Sequence, residues 1–285
     1  MATWDPQQYQ RFQKERAQPF FDLVNRLPDG EVTTVADLGC GPGVLTVTLT
    51  ERWPHATVWG VDNSPQMLAQ AGALPARPRL HFVEADIAEW SPPQRLDRII
   101  SNAALHWVPE HRAVLRRLVG LLTPHGVLAV QVPNNHAEAA HRILRESTQQ
   151  EPWGSLLAGS EERFTIQTPR WYTQTLHALG CTVQVWETIY YHLLSGENAV
   201  LEWMKGTALR PTLERLGQRL GQDGQTAFLD MYGQKLAQAY PAGPNGTLFP
   251  FRRLFFIAQR DFAVAGRSAD QAGSRTAPTR EHRSR

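Results

Sequence analysis

A glycine-rich turn between a short β-branched run and a helix constrains the fold of this chain more than any other feature. Residues 33–38 are typical of a strand, glycines follow at positions 39, 41 and 43, and residues 44–53 are predicted to form a helix. Glycines at such a turn permit a tight backbone and let a ligand approach it closely. In an open α/β sheet this turn lies at the carboxyl ends of the strands, where ligands bind.

Strand-like and helical segments alternate through the first half of the chain. Further strands are predicted at residues 57–62, 80–86, 96–102 and 126–132, with helices from residue 65 and over 110–122. This alternation with short connections predicts a doubly wound, Rossmann-like α/β sheet whose strands are mostly parallel.

After Pro133 the pattern changes to longer helical stretches. Residues 134–180 and 196–240 are mainly helical, whereas residues 181–191 and 251–260 are strand-like. We therefore expect two late strands to complete a seven-stranded sheet, and a helical insertion before the last strands to cap a pocket.

Four regions follow from this pattern. They are an N-terminal helical lid (1–30), a cofactor-binding Rossmann-like core (31–135), a helical cap and substrate region with the last two strands (136–262), and a disordered basic tail (263–285). The last twenty residues hold five arginines against two acidic residues and almost no large apolar side chain, so they cannot bury enough surface to fold. Because the basic residues are sparse and mixed with acids, a solvated extension is favoured over a nucleic-acid-binding tail.

Composition narrows the partners of the chain. No apolar stretch approaches the roughly 20 residues of a membrane span, and no basic region followed by an apolar run marks a secretion signal. The two cysteines, Cys40 and Cys181, lie far apart and indicate no disulfide framework. We expect a cytoplasmic monomer that acts on a small molecule, with no metal, nucleic acid or membrane partner.

The spacing of the glycines separates two classes of nucleotide-binding loop. A dinucleotide dehydrogenase fingerprint, G-x-G-x-x-G/A, would need a small residue at position 44, where this chain has Val44. Asp37 precedes the first glycine by two residues, and its carboxylate suits an ammonium better than a pyrophosphate. The pattern D-x-G-x-G-x-G resembles the loop of class I S-adenosylmethionine-dependent methyltransferases, so we expect S-adenosylmethionine as the cofactor. Its predicted contacts in the loop are Asp37, Gly39, Gly41 and Gly43.

Polar residues at the ends of the next strands extend the predicted cofactor site. Asp62 ends the second strand 19 residues after Gly43, where a carboxylate can accept hydrogen bonds from both ribose hydroxyls; the alternative is a turn cap. Asp86 can meet the adenine amine or cap a helix, and Met67 can cover the nucleoside or belong to the core. The residues predicted to bind the cofactor at these strand ends are Asp62, Asn63, Met67, Asp86, Ile87 and Asn102.

Over residues 3–261 the chain resembles the trans-aconitate 2-methyltransferase family. The segments that carry the resemblance include Trp4-Asp5-Pro6, residues 36–43, 82–87 and 128–134, and then residues 188–192, 206–211 and 250–256. The later segments discriminate best, because the glycine loop is common to the superfamily. The resemblance implies methyl transfer from S-adenosylmethionine to a carboxylate of trans-aconitate or a similar small acid. Val44-Leu45 and His106-Trp107 depart from the expected pattern, and His106 could alter which acid fits.

A polycarboxylate needs cationic donors, and arginine suits it because its fork binds a carboxylate bidentately. Arg252 and Arg253 are adjacent on a predicted strand, so at most one should reach the pocket; a surface charge is the alternative for every arginine. The predicted substrate-binding residues are Tyr9, Arg16, Trp107, Tyr190, Trp203, Arg210 and Arg252. We predict no catalytic dyad, because a carboxylate is already ionised at pH 7.

Other functions stay open at this point. A methyltransferase for another acceptor, such as a quinone precursor or a phenol, would have an apolar pocket without an inward arginine. An idle cofactor-binding or interaction protein would bind S-adenosylmethionine without turnover. A nicotinamide dehydrogenase is disfavoured by Val44.

Overall fold

The computed structural model describes residues 13–157 and 166–261. Its strands are β1 (Thr34–Leu38), β2 (Thr57–Asp62), β3 (Leu80–Glu84), β4 (Leu96–Asn102), β5 (Leu122–Pro133), β6 (Cys181–Leu194) and β7 (Thr247–Arg260). Its α-helices are α1 (Gln13–Val24), α2 (Val44–Arg52), α3 (Pro65–Gly72), α4 (His111–Leu121), α5 (Ala139–Gln149), α6 (Trp153–Leu157), α7 (Pro169–Ala178), α8 (Ala199–Lys205) and α9 (Arg210–Ala239). The predicted tail (263–285), Tyr9 and the first part of the predicted lid lie outside the described residues.

The seven strands form one sheet in the order β3-β2-β1-β4-β5-β7-β6. Strands β1 to β5 are parallel, whereas β7 runs antiparallel to both β5 and β6. The predicted seven-stranded, mostly parallel sheet is confirmed. All five residues of β1 are buried, as expected of a central parallel strand that is covered on both faces.

Helices cover the sheet on both faces. Phe20 and Leu23 of α1 are buried on one face, in a core with Val35 and Ile100. Tyr172 of α7 belongs to the core on the other face. The described part of the predicted lid therefore packs on the sheet instead of lining the cavity described below.

The two late strands are longer than the sequence predicts. Strand β7 begins at Thr247, four residues before the predicted start, and β6 continues to Leu194, where these two residues pair. The added segments of β6 and β7 have a weak strand pattern in the sequence. They are extended because they pair with each other.

The helices between β5 and β7 build a second core at one end of the sheet. Helices α5, α6, α8 and α9 bury apolar side chains against Phe249 and Phe251 of β7. Tyr232 of α9 donates a hydrogen bond to the backbone oxygen of Ala140 at 3.0 Å and so fixes α9 to α5. Helix α9 is kinked at Gly221, whose φ is +67°. Within residues 13–157 and 166–261, no helix has the length and apolar character of a membrane span.

Candidate functional site

A cavity of about 820 Å³ lies at the carboxyl ends of the parallel strands. Ligand pockets usually measure roughly 300–1,000 Å³, so this cavity is large enough for a nucleoside cofactor together with a small second ligand. Its wall comes from the strand ends, from the loop after β4, and from α8 and the start of α9. The helical insertion therefore contributes to the site, as the sequence predicts.

The glycine loop after β1 forms one wall of this cavity. The backbone N–H groups of Gly39 and Cys40 donate to the Val61 oxygen at 2.7 and 3.1 Å, which ties the loop to β2. Gly39 has a φ of +77°, and a Cβ there would lie 2.1 Å from the Cβ of Ala104. Any residue other than glycine at position 39 would therefore have to displace the loop that follows β4.

Asp62 joins the loop to the cavity. Its Oδ2 accepts from the backbone N–H of Gly41 at 2.9 Å, and its Oδ1 accepts from that of Ser64 at 2.9 Å. Each oxygen of a carboxylate can accept more than one hydrogen bond. Asp62 thus serves the turn, as the alternative interpretation held, and it also lines the cavity.

Asp86 and Ile87 line the cavity beyond Asp62. The Oδ1 of Asp86 accepts from the Ala88 N–H at 2.7 Å, so this carboxylate also holds a local turn. Arg117 of α4 donates to the backbone oxygens of Ile87 and Trp90 and fixes the same loop. An acidic, exposed side chain beside an apolar one suits the amine and the face of an adenine.

Asp37 and Gly43 have structural positions behind the loop and do not line the cavity. Asp37 is buried, accepts the Thr46 hydroxyl hydrogen at 2.6 Å, and has its pKa raised to about 7 by that burial. Gly43 leaves room for Phe82, whose ring would lie 2.6 Å from an added Cβ. Both residues support the loop from behind, and their direct contact with a cofactor stays a prediction.

Imidazoles and a guanidinium gather at the other end of the cavity, near the ends of β5 and β7. His106, His136, His141 and Arg253 all line it. The ring centres of His136 and His141 are 5.4 Å apart, and the ring planes are inclined to each other by 65°. Burial lowers the pKa of His106 and of His141 to about 3, so both rings are neutral at pH 7. A neutral imidazole has one N–H donor to offer an anion.

The structure selects Arg253 instead of Arg252 as the arginine of β7 in the cavity. Arg253 is 3% exposed, pairs with Pro133 across the sheet and lines the cavity. Arg252 points to the opposite face, where its Nη1 lies 3.5 Å from a carboxylate oxygen of Glu187. The predicted substrate role of Arg252 is thus corrected, because the alternation along the strand turns it out of the pocket.

Tyr190 is also outside the cavity lining. It is buried on the face covered by α1, and its hydroxyl donates to the Asp22 carboxylate at 2.6 Å. Burial and this carboxylate raise the pKa of the phenol. Tyr190 thus connects the sheet to α1, its ring lies 5.9 Å from the guanidinium carbon of Arg253, and its substrate role stays a prediction.

Most of the other predicted site residues lie in the wall of this one cavity. Those that line the cavity are Gly39, Gly41, Asp62, Asn63, Met67, Asp86, Ile87, Asn102, Trp107, Trp203 and Arg210. Trp203 is 1% exposed and stacks on His192 at 5.0 Å, whereas Trp107 is 46% exposed. Tyr9 and the side chain of Arg16 lie outside the described residues.

Two asparagines in the cavity wall carry a buried polar atom that has no hydrogen-bond partner within the described part of the chain. These atoms are the Oδ1 acceptor of Asn102, at the end of β4, and the Nδ2 donor of Asn135, just after β5. A buried polar atom without a partner is costly, so each position favours a ligand group that completes it. The acceptor suits a cationic group and the donor an anionic one.

Sequence reasoning did not identify Asn135, His136 or Arg117 as site residues. The signal for the first two was their place directly after a buried strand, at the edge where parallel strands end. Arg117 had no local signal, because its role depends on how α4 packs against a loop some 27 residues earlier in the chain.

Three acidic side chains and Arg117 of α4 line the cavity at the ends of β2 and β3, and Arg253 with the imidazoles lines it near β5 and β7. The acids there are Asp62, Asp86 and Glu89; Glu110 lies at the start of α4. No group of three or more His, Cys, Asp or Glu side chains within residues 13–157 and 166–261 could hold a metal ion. The cavity is therefore built for a ligand with hydroxyl or cationic groups at one end and for an anion at the other.

Comparisons with known proteins agree on class and family. Residues 35–126 match the family described as "Methyltransferase domain". Trans-aconitate 2-methyltransferase of Streptomyces avermitilis is 46% identical over 92% of this chain and 98% of its own length. The enzymes of that name from Azoarcus sp. and Escherichia coli K12 are 41% and 42% identical, over 91% of this chain and 100% and 99% of theirs.

Solved structures share the fold at much lower identity. The [4+2]-cyclase SpnF superposes with a TM-score of 0.52 at 16% identity, over 91% of this chain and 87% of that one. A Haemonchus contortus phosphoethanolamine N-methyltransferase, solved with phosphomonomethylethanolamine and S-adenosylhomocysteine, gives a TM-score of 0.50 at 16% identity, over 86% of this chain and 53% of that one. At such identities the likeness concerns the fold alone.

Proposed function

Because this chain belongs to the trans-aconitate 2-methyltransferase family, we propose that it esterifies a carboxylate of trans-aconitate with the methyl group of S-adenosylmethionine. The observation that carries the proposal is the polarity of the cavity, acidic at the ends of β2 and β3 and cationic near β7. A neutral aromatic acceptor would not require Arg253 to be buried in the wall.

The residues present fit S-adenosylmethionine. Asp62 offers carboxylate oxygens for ribose hydroxyls, Gly41 lines the cavity where no protein atom lies within 4 Å of the place of a Cβ, and Asn102 has a buried acceptor without a partner in the described chain. When bound, the cofactor would supply an electrophilic methyl group for a carboxylate oxygen, with S-adenosylhomocysteine as the leaving group.

The protein's contribution to this reaction is placement. The acid arrives ionised at pH 7, so no side chain has to remove a proton from it. The wall must hold an oxygen in line with the methyl group at roughly 3–3.5 Å and keep water out. The neutral imidazoles His106 and His141 suit this task better than that of a base, since burial lowers the pKa of each to about 3.

The proposal is tested by incubating the protein with S-adenosylmethionine and trans-aconitate and identifying the products by mass spectrometry. We expect a monomethyl ester and S-adenosylhomocysteine in equal amounts. A parallel reaction with Asp62→Ala should give far less of both. Turnover of a phenol or a quinone precursor with no ester from any di- or tricarboxylic acid would favour the other acceptor class; cofactor binding without any product would favour an idle protein.

A further inference from the structure

We propose that Arg253 and Asn135, with the imidazoles of His106, His136 and His141, form a subsite for a carboxylate that is not methylated. The subsite would decide the preference for acids that carry this additional carboxylate. This inference rests on the proposed function, because it assigns the second ligand of the same cavity.

Arg253 is fixed in a position suited to an anion. Its Nη1 donates to Oε1 of Gln131 at 3.2 Å, and its guanidinium carbon lies 4.5 Å from the centre of the Phe251 ring. Gln131 is fully buried on β5, and its neutral amide orients the guanidinium without cancelling its charge. A buried, pre-oriented arginine binds a carboxylate with little loss of side-chain entropy.

Asn135 supplies an independent observation. It is 2% exposed and lines the cavity, and its Nδ2 has no acceptor within the described residues. Its backbone oxygen accepts from the Glu138 N–H at 2.9 Å, which fixes the turn before α5. A carboxylate oxygen is the acceptor that would complete this amide.

The imidazoles close the subsite from three different elements. His106 belongs to the short 3-10 helix Leu105–Trp107 after β4, His136 to the turn after β5, and His141 to α5. His106 and His141 are 5% and 9% exposed, so they form wall and not surface. Neutral N–H donors beside one arginine can bind an anion together with it. Unlike further cations, they do not repel the arginine when the subsite is empty.

The location also separates the subsite from the cofactor end. Asn102 ends β4 and Gly39 directly follows β1, and both line the cavity between the acidic strand ends and the β5–β7 end. One carboxylate can therefore reach the methyl group while another remains at Arg253. Removing the second carboxylate would leave Arg253 and Asn135 without their ligand, which penalises the shorter acid.

The first test uses substrates that differ by single carboxylates. Cis-glutaconate lacks the middle carboxylate of trans-aconitate and keeps the arrangement of the other two, and mesaconate has a methyl group in place of the CH2-carboxylate arm. We expect kcat/KM for at least one of them to be lower than for trans-aconitate by on the order of 100-fold. Equal kcat/KM for all three acids would overturn the subsite while leaving the proposed function intact.

The second test compares two neighbouring arginines. Arg253→Gln should raise KM for trans-aconitate on the order of 100-fold, with a smaller effect on kcat. It should also abolish the preference for trans-aconitate over whichever of the two dicarboxylic analogues the wild type discriminates against. Arg252→Gln, on the opposite face, is the matched control and should keep the wild-type KM. Arg253→Lys keeps the positive charge but loses the forked pair of donors. Its KM for trans-aconitate should therefore lie between those of the wild type and Arg253→Gln.

A third variant keeps the inference falsifiable if Arg253→Gln folds poorly. Asn135→Asp preserves shape but turns the donor into an anion, so KM for trans-aconitate should rise while the Kd of S-adenosylhomocysteine, measured by calorimetry, stays within about twofold. Unchanged KM and unchanged acid preference in either folded variant would overturn the subsite. Absence of ester from every acid with the wild type would overturn the proposed function and the subsite together.

Discussion

At the scale of single residues, the side chain of Asp62 both holds the glycine loop and forms part of the cavity wall. It accepts from the backbone of Gly41 and of Ser64 and still lines the cavity. A change here therefore affects the ligand site through both contact and loop geometry. The Asn63 side chain beside it is a further wall residue.

Asp62→Asn should weaken the binding of S-adenosylmethionine. The amide keeps the shape but loses the charge and places an NH2 group against one backbone N–H. Since a hydrogen bond to a charged group contributes about 1.5–3 kcal/mol, Kd should rise on the order of 10- to 100-fold in calorimetry. Glu51→Gln, an exposed surface change, is the control. An unaltered Kd in Asp62→Asn would refute the ribose assignment.

His106 links the cavity to the pH dependence of folding. Burial, with smaller effects of His136, Arg253 and His111, lowers the pKa of His106 from 6.5 to about 3. The unfolded chain takes up this proton as the pH falls below about 6.5 and the folded chain does not. The free energy of unfolding therefore decreases as the pH falls from about 6.5 towards 3.

His106→Gln removes this contribution and should reduce the drop in melting temperature between about pH 7 and about pH 5 relative to the wild type. His55→Gln changes an exposed histidine and should leave the drop as in the wild type. Thermal unfolding in matched buffers measures all three proteins. The same drop in His106→Gln as in the wild type would show that this imidazole titrates alike in both states.

At the scale of elements, the loop between β1 and α2 contains two glycines of different purpose. Gly39 and Gly41 both have positive φ, +77° and +55°, but a Cβ at position 39 meets Ala104 at 2.1 Å, whereas one at position 41 meets nothing within 4 Å. The first glycine is required by close packing and by backbone conformation, the second by conformation alone.

Gly39→Ala should therefore destabilise the protein more than Gly41→Ala does. Both variants incur the cost of a left-handed alanine, and the clash with Ala104 adds about 1–3 kcal/mol at position 39. Denaturant unfolding without cofactor measures the difference free of any effect on the ligand. Equal decreases in the free energy of unfolding would indicate that the loop after β4 moves away from the added methyl group at little energetic cost.

Strand β7 illustrates what an element's sequence does and does not predict. Alternation along the strand indicated that Arg252 and Arg253 face opposite sides, but not which of them faces the cavity. That choice depends on the pairing of Arg253 with Pro133 of β5, a contact more than a hundred residues away in the chain. The same limit applies to Tyr190, whose partner Asp22 belongs to a distant helix.

At the scale of the whole molecule, the parallel half of the sheet could be predicted because each strand, turn and helix has a local signal. The cofactor end follows from that half: Asp62, Asp86 and Asn102 lie where strand ends place them. The late strands β6 and β7 were recognised, but their lengths depend on non-local pairing across a helical insertion. The acid end is built from β7, from that insertion and from the turns after β4 and β5, so its composition depends on how distant segments pack together.

The order of the strands in the sheet gives the cavity two chemically different ends. Strands β2 and β3 lie on one side of β1, and β5 and β7 lie beyond β4 on the other. Acidic groups at one end and Arg253 with its imidazoles at the other are therefore held apart by the width of the sheet. The account's central claim is that this polarity selects a cationic nucleoside cofactor and a polycarboxylate acceptor.

An internal competition tests this claim most directly. The protein receives limiting S-adenosylmethionine and an equimolar mixture of trans-aconitate, cis-glutaconate, a monocarboxylic acid and a neutral phenol, and mass spectrometry quantifies each methylated product. Product ratios in such a mixture report ratios of kcat/KM. The account predicts that the trans-aconitate ester dominates, that the monocarboxylic ester is scarce and that the phenol is unmethylated. A dominant phenol ether, or equal esters from all acids, would contradict it.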